Sequence, residues 1–288
     1  MKQFIIAIGL LIGLLAGSIA SAETNENENS LLWKIEGNGI QTSYLYGTFH
    51  LIPESEFHLS EAVKNAFKTS NQIIMELDMD NPQVQMGIMQ HMGMKEGNSL
   101  KSMLKETTYV KLDSILKATM GMGMAAFDKV KPFMVASMLI PTIIEGKIAS
   151  YEGTFIQMAK EQEKEILGLE TVADQMSIFD KIPYEQQAEE LAEMVDDKEK
   201  AIAIFNQMID LYKAQDMNGL YNLFMKYYET EEEVDLMLNN RNANWIEPIT
   251  ELTTNKSSFI AVGAGHLGGD KGVVQLLKNK GFKVTPVN

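Results

Sequence analysis

The chain of 288 residues has no cysteine, four histidines and a single arginine, Arg241. Without cysteine there can be no disulfide, no thiolate metal site, no thiol nucleophile and no lipid-modified cysteine. Every other basic residue is lysine, so Arg241 stands where a planar fork serves better than a point charge. Positive charge is scarce overall, with 25 Lys and Arg against 39 Asp and Glu and a net charge of −14. Such a surface repels phosphate backbones and anionic lipid, which argues against nucleic-acid or membrane-surface partners. Long hydrophobic runs are missing too, apart from one near the start that is too short to span a bilayer comfortably.

That run has a purpose of its own. Lys2, the apolar stretch Phe4 to Leu15 and the small residues Ala20, Ser21 and Ala22 describe a signal peptide over residues 1–22. The expectation is an exported chain, periplasmic or secreted, with no transmembrane span once the leader is removed. Residues 23–30 are a polar, disordered lead-in, and residues 31–288 form a single domain.

Within that domain, Leu32 to Ile35 and Tyr44 to Tyr46 alternate as two adjacent strands. Ser60 caps a helix whose apolar positions Leu59, Val63 and Phe67 recur at helical spacing, and Gln72 to Leu77 returns to a strand. Residues 82–255 read as a helical insertion, interrupted by a strand near 164–169. The tail is strand, glycine loop, helix, strand. The fold expected is α/β, with a central mixed or mostly parallel sheet built from both chain ends around a large helical insertion. Twenty methionines, dense from Met75 to Met138, read as adaptable helix packing, with soft-metal binding as the rival.

Two segments share one pattern. "YLYGTFH" and "VGAGH" each end a strand at a glycine, Gly47 or Gly263, and place a histidine three residues later, His50 or His266. In parallel sheets ligands gather beyond the carboxyl ends of strands. Two imidazoles aimed into one crevice could hold a divalent metal or supply a general base. A single histidine in that place is usually structural, but two copies in a histidine-poor chain favour a site. His58 and His91 read as surface residues, and the glycine-rich tail loop has anion binding as its second reading.

Glu76 ends an apolar strand, where burial demands a positive partner. Asp78 and Asp80 read as solvated loop charge. Glu170 is open between a site role and an acid at the start of the next helix. Arg241 is open between pairing with the acidic stretch Glu231 to Asp235, stacking on Trp245, and stabilising a substrate or transition-state charge.

These elements in this order resemble the TraB/GumN (PrgY-like) family, which is related to the Tiki proteases and, more distantly, to erythromycin esterases and ChaN-like haem-binding proteins. Besides the two glycine-histidine elements, "IIMELD" supplies Glu76, "ILGLET" supplies Glu170 and "RNANWI" supplies Arg241 and Asn242. The resemblance implies an exported, metal-dependent hydrolase acting on peptide bonds. His50, Glu76 and His266 would then be metal ligands for Mn, Co or Zn, with Glu170 and Arg241 as catalytic residues. The alternatives are a metal-free, esterase-like hydrolase with His50 as general base oriented by Glu76, and a non-catalytic peptide- or haem-binding protein. The partner expected is a peptide or small-molecule substrate.

Overall fold

The computed structural model describes residues 29–228 and 230–287. The expected signal peptide, and all of the lead-in except Asn29 and Ser30, lie outside the described residues.

Among the described residues eight strands occur in chain order: β1 (Leu32–Glu36), β2 (Ser43–Thr48), β3 (Ile52–Pro53), β4 (Gln72–Met75), β5 (Ile148–Ala149), β6 (Glu165–Gly168), β7 (Ser258–Gly263) and β8 (Lys283–Pro286). Six form the central sheet in the order β6-β4-β7-β2-β1-β8, while β3 and β5 pair separately. Strands β6, β4, β7 and β2 run parallel to one another, and β1 is antiparallel to both β2 and β8. The sheet is therefore mostly parallel and draws strands from both chain ends, as expected of this α/β sequence. It differs in one respect from a simple strand-helix-strand reading. β2 and β4 are parallel but not adjacent, because β7 from the far end of the chain lies between them.

The central strands are continuous apolar runs because both faces are covered. Ile73, Ile74, Phe259 and Ile260 are fully buried. On the helical side, Tyr46, Phe67, Tyr151, Phe155 and Phe259 form one aromatic cluster in tilted, stacked and edge contacts. The helix Glu61–Thr69 starts where Ser60 accepts a hydrogen bond from the Val63 amide, and buries Val63 and Phe67. Methionine is divided between the core, as at Met75, Met124 and Met208, and the surface, as at Met86, Met89 and Met122.

No helix among the described residues is long and apolar enough to cross a membrane.

Candidate active site

Four neighbouring strands each deliver one polar side chain just past their carboxyl ends. Across the sheet they come in the order Glu170 after β6, Glu76 after β4, His266 after β7 and His50 after β2. Past the last residues of β4 and β6 the ladder continues, the Glu170 amide donating to the Glu76 carbonyl at 3.0 Å. Arg241 enters from the helix Asn240–Asn255, directly after a π-helical turn at Asp235–Asn239. Thus all five residues singled out in the sequence converge, and His58 and His91 remain exposed elsewhere. Asp80 is exposed, and Asp78 accepts a hydrogen bond from the Asn81 side chain.

The two glycines serve each other's histidine. A Cβ on Gly47 would stand 2.7 Å from Leu267 Cδ1 and 3.0 Å from Ala264 Cα, so its absence lets the 3-10 turn Ala264–His266 pack onto β2. The carbonyl of Gly47 is held from the other side by the Tyr212 hydroxyl at 3.0 Å. A Cβ on Gly263 would lie 3.4 Å from Glu76 Oε1, 3.6 Å from His266 Cδ2 and 3.7 Å from His50 Nε2. Gly263 is thus the floor of a small space that two imidazoles and a carboxylate surround.

Arg241 is the hub. It is buried, and its NH2 donates to Glu76 Oε2 at 2.6 Å and to Glu170 Oε1, while Nε donates to Glu170 Oε2 at 3.1 Å. Its NH1 meets the Met237 carbonyl at 3.3 Å and His266 Nε2 at 3.1 Å. The guanidinium also lies over Trp245, 4.9 Å from the ring centroid. The stacking reading of Arg241 therefore holds together with the site reading. Its carboxylate partners are Glu76 and Glu170, whereas Asp235 pairs with Lys271.

These contacts fix protonation. A guanidinium can only donate, so His266 Nε2 accepts and Nδ1 carries the proton. That proton goes to Asn242 Oδ1 at 2.6 Å, and the Asn242 amide nitrogen donates to the Lys271 carbonyl at 2.9 Å. Burial, reinforced by Arg241, lowers the His266 pKa to about 3, so the ring is neutral. Burial would raise the Glu76 carboxyl, but the positive charge of Arg241, with that of His50 behind it, holds it below the usual carboxylate range. The Gly263 amide adds a hydrogen bond to Glu76 Oε1 at 2.9 Å. Glu170 moves the other way, since burial raises it against the pull of Arg241. Gln175 bridges the two carboxylates, at 3.0 Å from Glu170 and 3.3 Å from Glu76.

His50 has a partner that sequence reasoning missed. Its Nδ1 lies 2.8 Å from Glu152 Oε1, which also accepts from Thr48 Oγ1 at 2.5 Å. Burial would lower the imidazole, but the Glu152 carboxylate overrides it and raises the His50 pKa to about 9. Glu152 sits in the first turn of the helix Tyr151–Glu161, behind the N-cap Ser150. In sequence it is indistinguishable from an ordinary helix-start acid, and no local pattern marks it.

Both imidazoles thus tie Nδ1 to an oxygen and present Nε2 toward Glu76. This is how metal-binding histidines are oriented in general, and two nitrogens with one carboxylate oxygen suit a borderline divalent cation. Among the described residues no three His, Asp or Glu side chains are closed into a metal cluster, and the Arg241 guanidinium takes up part of the donor valence.

A cleft of about 340 Å³ adjoins these residues, with Glu170, Arg241 and Trp245 in its wall. A larger one, about 870 Å³, is lined by Met217, Tyr221, Asp235 and Lys271 but by none of the five predicted residues. Two of the five, Glu170 and Arg241, line the smaller cleft, while His50, Glu76 and His266 are in the wall of neither.

Comparison with known proteins gives a family and two distant relatives. Residues 31–286 match the model of the TraB/PrgY/gumN family. The chain is 23% identical over 320 residues to Metalloprotease TIKI2 of Danio rerio, covering 91% of this chain and 61% of that protein. It is 22% identical over 326 residues to Metalloprotease TIKI2 of Xenopus tropicalis, covering 93% and 62%. The chain therefore spans about three fifths of the length of these curated relatives. No solved structure matches it.

Proposed function

Because the chain belongs to the TraB/PrgY/gumN family, we propose that it is an exported, metal-dependent hydrolase acting on peptide bonds. The observation that carries this reading is the ring of His50 Nε2, Glu76 Oε1 and His266 around Gly263. The similarity to two proteins named metalloproteases supports it from outside.

In this reading His50, Glu76 and His266 hold the divalent cation, Mn, Co or Zn. Bound there, the cation would lower the pKa of a water toward about 7 and polarise a scissile carbonyl. The other residues have separate tasks. Glu170, raised by burial, is suited to take a proton and return it to the leaving amine. Arg241 supplies a fixed positive charge beside the developing oxyanion. As Glu170 takes up the proton, its grip on the guanidinium weakens and donors become free for the substrate oxygen. Asn242 and Glu152 act through the histidines, each holding one ring in its orientation.

A metal-free route has one specific observation in its favour: His50 already forms a base-and-carboxylate pair. The carboxylate in contact is Glu152, not Glu76 as expected from the sequence; Glu76 is instead committed to Arg241 and Gly263. A cleavage screen of the mature protein against a peptide library, with and without chelator, decides between the routes. Cleavage abolished by chelator and restored by Mn, Co or Zn supports the metal reading. Chelator-resistant cleavage supports the pair, and no cleavage of any peptide rejects both.

A further inference from the structure

The larger cleft, about 870 Å³, has the size of a small-molecule site. Three separate segments wall it: the helix Met217–Met225, the π-helical turn Asp235–Asn239, and the tail loop leading into the helix Val273–Asn279. Its charge is one-sided, with Asp216, Glu231, Asp235 and Asp270 against Lys271 and Lys278. Lys271 is taken up by Asp235 at 2.7 Å, and Lys278 lies over the Trp33 ring, 5.4 Å from its centroid. Glu231 and Asp270 are exposed at the rim. Acidic residues alone would be a solvated face, but Asn239 is not solvated. It ends the π-helical turn, is only 7% exposed and stands in the wall of this cleft. Its Nδ2 donates to Asp235 Oδ1 at 2.7 Å, whereas its own Oδ1 is buried and accepts no hydrogen bond among the described residues. A buried oxygen without a donor is costly and rare, and π-helical turns recur at functional sites. Tyr221 stands beside the same amide, with Gly269 so close to its ring that a Cβ there would lie 2.5 Å from it.

We propose that this cleft binds a primary ammonium group, with Asn239 Oδ1 as its acceptor, Glu231 and Asp270 as its counter-charges and the Tyr221 ring as its aromatic wall. An ammonium carries three donors and no acceptor, which is what surplus carboxylate and an unmet carbonyl oxygen require. The face of a tyrosine attracts the same charge. An anion would be repelled by the wall, and an apolar ligand would leave Asn239 Oδ1 unmet. The Asn239 amide turns about a soft torsion, which brings its oxygen to the ligand while Asp235 keeps Lys271. The group belongs to a free polyamine or to the lysine side chain of a peptide, since both present the same chemistry. This site uses none of His50, Glu76 and His266, and it does not rest on the hydrolase reading. Its nearest tie to them is Lys271, whose carbonyl holds Asn242 against His266.

Calorimetric titration of the mature protein tests this in about 0.15 M NaCl, where diffuse surface attraction is screened. The probes are butylammonium, butyltrimethylammonium, spermidine and a blocked Gly-Lys-Gly peptide. The first two carry the same charge, but only the first can donate. Butylammonium should bind one site about tenfold or more tightly than its trimethylated counterpart, the worth of a hydrogen bond from a charged donor. Asn239→Leu should weaken butylammonium by a similar factor and remove the difference between the two. Glu231→Gln/Asp270→Asn changes only exposed side chains, so it keeps the test decisive should Asn239→Leu fail to fold, and it should weaken binding severalfold. Circular dichroism checks the fold of each. Tighter binding of spermidine than of the peptide supports the site and makes a free polyamine the source; the reverse supports it with a lysine side chain as the source. Equal binding of the two butyl probes, undiminished binding in folded variants, or no amine bound by the wild type overturns the proposal.

Discussion

The guanidinium NH1 of Arg241 lies 3.1 Å from Nε2 of His266, on the lone pair that a metal ion would need. The lone arginine of the chain thus places a positive charge where the proposed divalent cation would bind. Removing it strands Glu76 and Glu170, both largely buried, without their shared positive charge. Arg241→Met should lower stability by about 3–5 kcal/mol, the usual cost of breaking a buried pair. Divalent cation should then raise the melting temperature more in the variant than in the wild type, because the competitor for His266 and Glu76 has gone. Thermal unfolding with and without MnCl2 measures both effects. An equal shift in the two proteins would show that the guanidinium and the metal do not compete.

The two motif glycines should fail in opposite ways. Gly47→Ala forces a Cβ against the backbone of Ala264, at 3.0 Å, so the turn bearing His266 must move. A loss of about 1–3 kcal/mol in urea unfolding is expected. Gly263 has an ordinary φ of −53°, and an added Cβ would meet its neighbours at van der Waals distance. Gly263→Ala should fold as well as wild type or better, by up to about 1 kcal/mol, while losing cation binding and turnover because the methyl fills the space between the donors. A folded, fully active Gly263→Ala would refute that assignment.

Glu152 is a positioning residue for His50 and was not legible in the sequence. Glu152→Ala should weaken divalent-cation affinity about 10–100-fold, as loss of a histidine's outer partner generally does. Glu152→Gln keeps an acceptor at Oε1 and should recover part of the loss. Calorimetric titration of the three proteins with Mn²⁺ checks the order, and three equal affinities would remove Glu152 from the site.

Buried Lys131 pairs with Asp180 at 3.1 Å, and the Tyr184 hydroxyl donates to the same carboxylate at 2.5 Å. Burial would raise the Asp180 carboxyl, but these partners hold it below its ordinary range. A folded pKa below the unfolded one contributes stability above about pH 3.9, lost as pH falls through the folded value. Lys131→Met should therefore show a smaller drop in urea midpoint between about pH 5 and pH 3 than wild type. An unchanged drop would mean that the pair does not contribute to acid sensitivity.

What the sequence disclosed was local. The strand-glycine-histidine units, the Ser60 cap and the carboxylates ending β4 and β6 are written in contiguous residues, and the structure places each where those patterns imply. What it concealed depended on distance. Glu152 meets His50 across 102 positions and looks like any acid in a first helical turn. β7 enters between β2 and β4 from the far end of the chain, which no local alternation can announce. The reciprocal use of Gly47 and Gly263 likewise emerges only once the two turns touch. Arg241 was conspicuous as the sole arginine, but its partners were hidden, because Glu76 and Glu170 lie 165 and 71 positions away.

The central claim is that His50, Glu76 and His266 together hold one divalent cation. Equilibrium dialysis of the mature protein against Mn²⁺, Co²⁺ or Zn²⁺, followed by elemental analysis, tests it beside His50→Ala and His266→Ala. The account predicts one equivalent per wild-type chain and its loss in both variants, with their fold retained by circular dichroism. Stoichiometric cation retained in either variant, or none bound by the wild type, would contradict it.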